Sequence, residues 1–335
     1  MLYGDDPTVP VNVDAAVLIH EAFHVYQDEA LPGFLANEAL LFEQPVDDAE
    51  WLLARRAESE CLRRAWLAFG DDDAALGWAR AALDWRQRMA EAGDVTYTRG
   101  LELREGTAQY VQYRAHDERE TPPLPADGYA AEDIRERGYG AGETWARLLD
   151  RAHAPWASEL APDGSVSLDE ALERALEGAE LAPRALSDAW LTRARARAAE
   201  DAAAVTARRE ARLGEFLGRS GASLVLQPLH GPLWVERFDP LNLEPLSAGQ
   251  VLHTRWLRAA RGEQRIECED LDVLSLPAGG HPLFEGVAGL VLTGLEAVPE
   301  VVVEGDVTRL RAPGLSVDLM GAEVQTRGDR LIVTF

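Results

Sequence analysis

The chain has 335 residues, 47% of them hydrophobic, which is enough for one large or two medium-sized domains with buried cores. Its formal net charge of -25 argues against binding to nucleic acid or to an anionic membrane surface, because like charges repel. The sequence has no apolar run of roughly eighteen residues and shows no signal peptide, so no membrane span and, by default, a cytoplasmic location are expected.

The first predicted element is a helix over residues 14 to 29 that carries an HExxH motif at residues 20 to 24. Side chains four residues apart lie one above the other on a helix, so His20 and His24 can bind the same metal ion. Glu21 lies one step round the helix, where its carboxylate can reach a water molecule on that metal. Two imidazole ligands and a carboxylate base at this spacing are typical of a zinc hydrolase.

The composition of this helix supports a functional interpretation of the motif. Glu21 is the one charged residue between positions 15 and 26, and an unpaired charge is costly to bury in so apolar a helix. The alternative is a buried structural helix in which hydrogen bonds in the core satisfy His20 and His24.

Three further helices are predicted between the motif and residue 119. Acidic residues precede two patterns with apolar residues at helical spacing, over residues 47 to 70 and 71 to 93, and each pattern ends at a glycine. A fourth helix is predicted over residues 96 to 119. The aromatic residues of these helices are interpreted as core.

A catalytic zinc ion usually has three protein ligands and one open position for water. We expect Glu105 of the fourth helix to be the third ligand, because the small residues Gly106 and Ala108 allow close approach to the motif helix. A glycine inside a helix costs about 1 kcal/mol, which argues against a plain surface position for this segment. The alternative ligands on this helix and on the second helix are Glu58, Glu60 and Glu102.

Further helices are predicted up to residue 212, after which the pattern of the sequence changes. Residues 129 to 161 are predicted to be helical with a break at the glycine-rich stretch 138 to 142, followed by helices over 168 to 177 and 186 to 212. From residue 223 onward, short apolar runs alternate with turns rich in glycine, proline and aspartate, which predicts an all-β sandwich or small barrel.

The remaining metal-ligating residue types lack ligand spacing. The histidines of the β domain are interpreted as structural, and the two cysteines as buried thiols. These residues are His230, His253, His281, Cys61 and Cys268.

The HExxH motif, together with the sequence EGTAQY at residues 105 to 110, resembles the gluzincin group of zinc metallopeptidases. The resemblance covers roughly residues 13 to 150. It implies a single zinc ion bound by His20, His24 and Glu105, with Glu21 as the general base.

The resemblance departs from the group at one position. Many gluzincins have an aspartate four residues after the ligand glutamate to orient a ligand histidine, whereas this chain has Gln109 there. We expect Glu58 or another carboxylate to take that orienting role.

Gluzincins stabilise the tetrahedral oxyanion with a tyrosine or histidine from further along the chain. The resemblance suggests Tyr139 for this role, because the predicted helix break can aim its side chain into a cleft. A packed tyrosine in a turn is the alternative interpretation of Tyr139. The other candidates for the oxyanion role are Tyr110, His116 and His153.

The start of the chain raises an alternative on localisation. Zinc peptidases of this type usually have a β-sheet before the motif helix, but here only residues 1 to 10 come before it. Either the fold lacks that sheet or the chain as given starts late, and in the second case a secreted or envelope location is the alternative.

The sequence therefore predicts an α+β multidomain protein. A mainly helical, zincin-like domain is expected over residues 1 to 218, followed by an all-β domain of unknown role over residues 219 to 335. The predicted function is zinc-dependent hydrolysis of a peptide or protein substrate. The alternative is a catalytically inactive zinc-binding interaction module, and the sequence gives no oligomeric state.

Overall fold

A computed structural model gives the fold, and it describes residues 11–116, 121–126, 128–160 and 162–335. The chain divides into two compact units, Met1–Val205 and Thr206–Phe335. The first unit is helical and the second consists of two β-sheets, so the protein has the predicted α+β architecture with two domains. The expectation for residues 1 to 10 lies outside the described residues.

The helices of the first unit are given in chain order. Their bounds are α1 Val11–Ala30, α2 Ala49–Leu67, α3 Asp72–Ala92, α4 Thr96–Leu101, α5 Thr107–His116, α6 Ile134–Arg151, α7 Trp156–Glu159, α8 Leu168–Ala175 and α9 Asp188–Leu217. A 3-10 helix, Glu38–Glu43, lies between α1 and α2, and the last residues of α9 belong to the second unit.

Capping side chains set the starts of α2 and α3, as predicted. The Asp48 carboxylate accepts hydrogen bonds from the backbone N–H groups of Glu50 and Trp51 at the start of α2. Asp71 caps α3 in the same way, and α3 ends before Gly93. Each cap satisfies backbone donors that have no partner within the helix.

The predicted break at residues 138 to 142 is wrong, because α6 runs through these glycines without interruption. A β-carbon at Gly138 would lie 2.4 Å from the side chain of Leu101, and one at Gly142 would lie 2.6 Å from the backbone oxygen of Glu102. The glycines are therefore required for close packing of α6 on its neighbours. That packing outweighs their low helix propensity.

A π-helical segment, Glu102–Gly106, joins α4 to α5 within the predicted fourth helix. The described part of this helix is continuous from residue 96 to residue 116. Gly106 packs on α6, since a β-carbon there would lie 2.4 Å from the Cα atom of Gly142. The prediction that Gly106 approaches the motif helix is therefore wrong. Such π-helical turns are rare and occur frequently at functional sites.

A buried cluster of charges fixes the start of the π-helical segment. Glu102 accepts hydrogen bonds from Arg86 at 2.7 and 2.9 Å and from Arg137 at 3.3 Å. Both arginines also pair with Glu58, and none of these four side chains is more than 3% exposed. Carboxylates this deeply buried need such partners, and removing one partner from a buried pair typically costs about 3–5 kcal/mol.

The second unit contains two sheets that share one core. The strands are β1 Ala222–Gln227, β2 Trp234–Phe238, β3 Leu243–Pro245, β4 Val251–His253, β5 Trp256–Arg261, β6 Gln264–Glu269, β7 Val273–Pro277, β8 Val287–Leu295, β9 Glu300–Glu304, β10 Val307–Ala312, β11 Leu315–Met320, β12 Glu323–Arg327 and β13 Arg330–Thr334, with a short helix α10 Pro282–Glu285. One sheet has the order β12-β13-β1-β8-β7-β4-β3 and the other β2-β5-β6-β11-β10-β9. Strands β1 and β13 are parallel, whereas the other neighbouring strands of these two sheets pair antiparallel.

The core of the second unit combines residues from both sheets. Leu224 and Leu290 of the first sheet belong to the same buried cluster as Ile266 and Val317 of the second. The alternating burial of β11, in which every second residue points inward, is the pattern of a strand with one face on a core. The sequence-based expectation of an all-β domain is confirmed.

Two further expectations concern membrane-spanning helices and the two cysteines. None of the described helices combines the length and apolarity needed to cross a membrane. Cys61 and Cys268 are both free and buried, as predicted.

Replacing Gly142 with alanine tests the contact between α6 and the π-helical segment. The added methyl group would meet backbone atoms of Glu102 and Gly106 in the π-helical segment. We therefore expect a loss of about 1–3 kcal/mol in the free energy of unfolding. Gly70→Ala is the matched control because nothing lies within 4 Å of its β-carbon position. Urea denaturation followed by circular dichroism measures both variants, and equal stability of the two would contradict the packing argument.

Candidate metal centre

Three predicted ligands meet at one point in the helical unit. The Nε2 atoms of His20 and His24 are 3.0 Å apart, and Glu105 Oε2 lies 3.5 Å from the first and 3.2 Å from the second. The two histidines come from α1 and the glutamate from the π-helical segment. Among the described residues, this is the one group of histidine, cysteine and acidic side chains arranged to hold a metal ion.

The spacing of these three atoms suits a tetrahedral zinc ion. Bonds of 2.0–2.1 Å at tetrahedral angles place neighbouring ligand atoms about 3.3–3.4 Å apart. The observed separations of 3.0, 3.2 and 3.5 Å bracket that value. Only small shifts would bring all three atoms to bonding distance of one ion.

Gln27 fixes the proton position on His24. The amide nitrogen of Gln27 donates to the carbonyl of Arg104 at 2.9 Å and to the hydroxyl of Thr107 at 2.9 Å, and it lies 3.3 Å from the carbonyl of Leu103. Its amide oxygen therefore faces His24 Nδ1, at 2.7 Å. An amide oxygen only accepts, so Nδ1 must carry the proton, which leaves the lone pair of the neutral imidazole on Nε2.

Gln112 has the same effect on the other histidine. Its amide oxygen lies 3.1 Å from His20 Nδ1, so this nitrogen also carries a proton. When both imidazoles are neutral, their Nε2 atoms and the carboxylate direct three lone pairs at one another across about 3 Å, as ligands do around a cation. The donor set fits a divalent metal ion on chemical grounds.

The pKa values of the metal-free cluster reflect the same crowding of acceptors. A hydrogen bond to Glu105 raises the pKa of His24, because a proton on His24 relieves the repulsion between acceptors. Burial opposes ionisation of Glu105, but hydrogen bonds from His20, His24 and Tyr139 outweigh it and hold the pKa of Glu105 well below its usual range. Glu105 is therefore a carboxylate at neutral pH.

Tyr139 lies at the edge of this cluster. Its ring stacks on that of His20 with a centroid separation of 6.1 Å and an interplanar angle of 17°. Burial, followed by the charge of Glu105, raises the pKa of Tyr139 to about 12, so its hydroxyl keeps its proton at neutral pH. Tyr139 belongs to the intact helix α6, not to a break between helices as predicted.

Glu21 is exposed to solvent beside His20. The burial expected for Glu21 from the apolar composition of the motif helix is wrong. Leu18 is 62% exposed and Val25 is 60% exposed, so α1 buries only one side. Glu21 is exposed and therefore incurs no burial penalty.

The alternative ligands are engaged elsewhere. Glu58 and Glu102 belong to the buried charge cluster with Arg86 and Arg137. The prediction that Glu58 orients a ligand histidine is therefore wrong. Glu60 pairs with two arginines of its own helix, at 2.8 and 2.7 Å.

The alternative oxyanion groups also have other surroundings. The Tyr110 hydroxyl donates to Asp150 at 2.8 Å, and its ring packs edge-on against Trp156. His153 is exposed in the turn after α6. The side chain of His116 lies outside the described side chains.

The residues that orient the two histidines, Gln27 and Gln112, were not identified from the sequence. Gln109, at the position of the usual aspartate, donates to Glu143 at 2.9 Å instead of contacting a histidine. Gln27 and Gln112 supply the orienting oxygens. Gln27 lies three residues after His24, on the same helix face, and that spacing was the available signal.

The histidines of the β unit have structural surroundings. His253 is fully buried and lies 3.1 Å from the hydroxyl of Ser275, and His281 accepts a hydrogen bond at the start of α10. His230 is exposed.

Comparison with known proteins gives no relative: no protein-family model, curated protein or solved structure matches this chain.

Replacing Gln27 with methionine tests the orienting role of its amide. The variant keeps the side-chain length but lets the imidazole of His24 rotate and change tautomer, so we expect zinc affinity to fall about 10–100-fold. Competition with a chromophoric chelator measures the affinity. Gln87→Met is the matched control, because that amide contacts only Glu91 on the exposed face of α3. Unchanged affinity in the Gln27 variant would contradict the assignment.

Proposed function

We propose that this protein is a zinc-dependent hydrolase of gluzincin type, and that it cleaves amide bonds in peptides or proteins. The observation that carries the proposal is the convergence of His20 Nε2, His24 Nε2 and Glu105 Oε2 within 3.5 Å of one another. Both imidazoles direct an unprotonated nitrogen at the shared point, which supports a metal-binding role over a structural one.

Zinc bound at this point would lower the pKa of a coordinated water to about 7 and polarise a substrate carbonyl. The chain itself must then supply a proton acceptor and a group that stabilises the developing negative charge.

Glu21 is the proton acceptor in this proposal. It follows His20 directly in the sequence and is exposed on α1, so its carboxylate is accessible to water and to substrate. It accepts the proton from the attacking water and delivers it to the leaving amine. An interaction module has no need of a carboxylate in this position.

Tyr139 is the hydrogen-bond donor for the oxyanion. It stacks on His20, its hydroxyl interacts with Glu105, and its raised pKa keeps the phenol protonated at neutral pH. A neutral donor held at the cluster can stabilise negative charge that appears on the carbonyl oxygen.

Replacing Glu21 with glutamine separates an enzyme from a zinc-binding module. We expect Glu21→Gln to retain one zinc ion per chain and to lose about 10²–10⁴-fold in kcat on a peptide library, because the amide cannot accept a proton. Elemental analysis and mass-spectrometric detection of cleavage measure the two properties. Glu29→Gln, at another exposed position of α1, is the control for a change of charge, and His20→Ala is the control for loss of metal.

Two results would contradict this proposal. Wild-type protein that cannot take up zinc would refute the metal centre. Zinc-loaded wild type and Glu21→Gln with equal hydrolysis would remove Glu21 from the mechanism.

Replacing Tyr139 with phenylalanine removes the oxyanion donor and keeps the stacked ring. We expect kcat to fall about 10²–10³-fold while KM and zinc content change little, because the donor acts mainly in the transition state. Steady-state kinetics on the best library substrate measures both constants. Tyr110→Phe serves as the control, since its hydroxyl contacts Asp150. A fall in zinc content with unchanged kcat would assign Tyr139 to ligand positioning instead.

A further inference from the structure

The positively charged side chain of Arg135 lies close to the candidate metal centre, although Arg135 is not one of the three proposed ligands. Arg135 precedes Tyr139 by one turn of α6, so both side chains are on one face of the helix. The ring of Tyr139 stacks on that of the proposed ligand His20 at a centroid separation of 6.1 Å. The side chain of Arg135 therefore lies one helical turn from a side chain that contacts the candidate metal centre.

A carboxylate already occupies the outer side of this guanidinium. Glu38, the first residue of the 3-10 helix, forms an ion pair with Arg135 and accepts a hydrogen bond from the Tyr97 hydroxyl at 3.0 Å. Tyr97 is only 1% exposed, so its hydroxyl is held in place by the core. A guanidinium and a fixed phenol thus form a binding site for one carboxylate group.

The carboxylate of Glu38 can be displaced at little cost. The side chain of Glu38 is 50% exposed and that of Arg135 is 38% exposed. Exposed ion pairs of this kind contribute little to stability, because water screens them and two long side chains must be ordered. A substrate carboxylate anchored by other contacts at the metal centre can therefore replace Glu38.

We propose that Arg135 and Tyr97 form a subsite for a substrate carboxylate, which the side chain of Glu38 fills when no substrate is bound. This proposal rests on the hydrolase function and names its substrate class. One helical turn spans about 5.4 Å and consecutive Cα atoms are about 3.8 Å apart, so a carboxylate bound at Arg135 belongs to a residue near the scissile bond. The carboxylate comes either from the C-terminus of the peptide or from an acidic side chain.

The experiment compares matched peptides on three variants. One peptide pair is an N-acetyl tripeptide ending in phenylalanine, as the free acid and as the amide. The second pair is an amidated tripeptide with glutamate or glutamine beside the scissile bond. The variants are Arg135→Met, Glu38→Gln and Arg151→Met, and each is tested on both pairs.

Arg151 provides a close control for Arg135. It lies on the same helix, is 40% exposed and pairs at 3.1 Å with Asp72, which is 48% exposed. Its replacement removes the same charge from an equally exposed pair, but at the other end of α6.

Two readouts keep this proposal separate from the hydrolase proposal. The first is kcat/KM for each peptide. The second is the Kd of each peptide for the zinc-loaded Glu21→Gln protein, with and without Arg135→Met and Glu38→Gln, measured by calorimetry. Binding can be measured whether or not the wild type hydrolyses any peptide.

We expect the acid member of one pair to bind about tenfold or more tightly than its neutral counterpart, as one charge-assisted hydrogen bond would give. Arg135→Met should abolish that preference, so that the acid and neutral members of each pair bind with similar affinity. Glu38→Gln should increase it, because the competing carboxylate is gone, and Arg151→Met should retain it. The pair that shows the preference identifies the source of the carboxylate.

Three outcomes overturn the subsite. The first is equal binding of acid and neutral peptides to the wild-type site. The second is an equal loss of affinity for the acid and the neutral peptides in Arg135→Met. The third is no binding of either acid peptide at millimolar concentration. An acid preference without hydrolysis by the wild type would support the subsite and contradict the hydrolase. Hydrolysis without an acid preference would do the reverse.

Discussion

The candidate metal centre depends on holding three electron pairs at one point. Neutral imidazole nitrogens and a carboxylate oxygen repel one another at about 3 Å, so they stay together only if the surrounding structure fixes them or a cation joins them. Gln27 and Gln112 fix the two imidazoles by accepting a hydrogen bond from Nδ1 of each ring, on the side away from the cluster. This arrangement of acceptor atoms is one that a divalent cation could join.

Packing far from the ligands determines where Glu105 lies. The buried cluster of Arg86, Arg137 and Glu58 holds Glu102 at the start of the π-helical segment. The contact between Gly106 and Gly142 holds the end of that segment against α6. The wider π turn separates the two glutamates round the helix axis, so Glu102 faces the arginines while Glu105 faces the histidines. The amide of Gln27 also uses carbonyls of this segment, which ties it to α1.

Helix α6 connects the centre to its surroundings. Gly142 approaches the π-helical segment, Tyr139 stacks on His20, and Arg135, one turn before Tyr139, forms an ion pair with Glu38. The same helix thus positions the ligand-bearing segment, the proposed oxyanion donor and the proposed carboxylate subsite. Proposals for catalysis and for substrate choice therefore have a common structural origin in the tight packing of α6.

The sequence alone determined the elements whose physics is local. The spacing of His20 and His24 required only helix periodicity, and the capping residues Asp48 and Asp71 marked the helix starts through hydrogen bonds to neighbouring N–H groups. Short apolar runs separated by turns were enough to indicate the all-β unit. Glu105 was also selected from its helical context, and the structure brings it to the two histidines.

Only the tertiary structure decided what depends on contacts between distant segments. Helix α6 survives its three glycines because Leu101, Pro123 and Glu102 pack where side chains would have been, and local propensity contains no such information. The arginine partners of Glu58 and Glu102 come from other helices, so the sequence could not show that these glutamates are unavailable to a metal. The orienting role passed from the expected carboxylate to Gln27 and Gln112 for the same reason, since hydrogen-bond geometry across helices is set by packing.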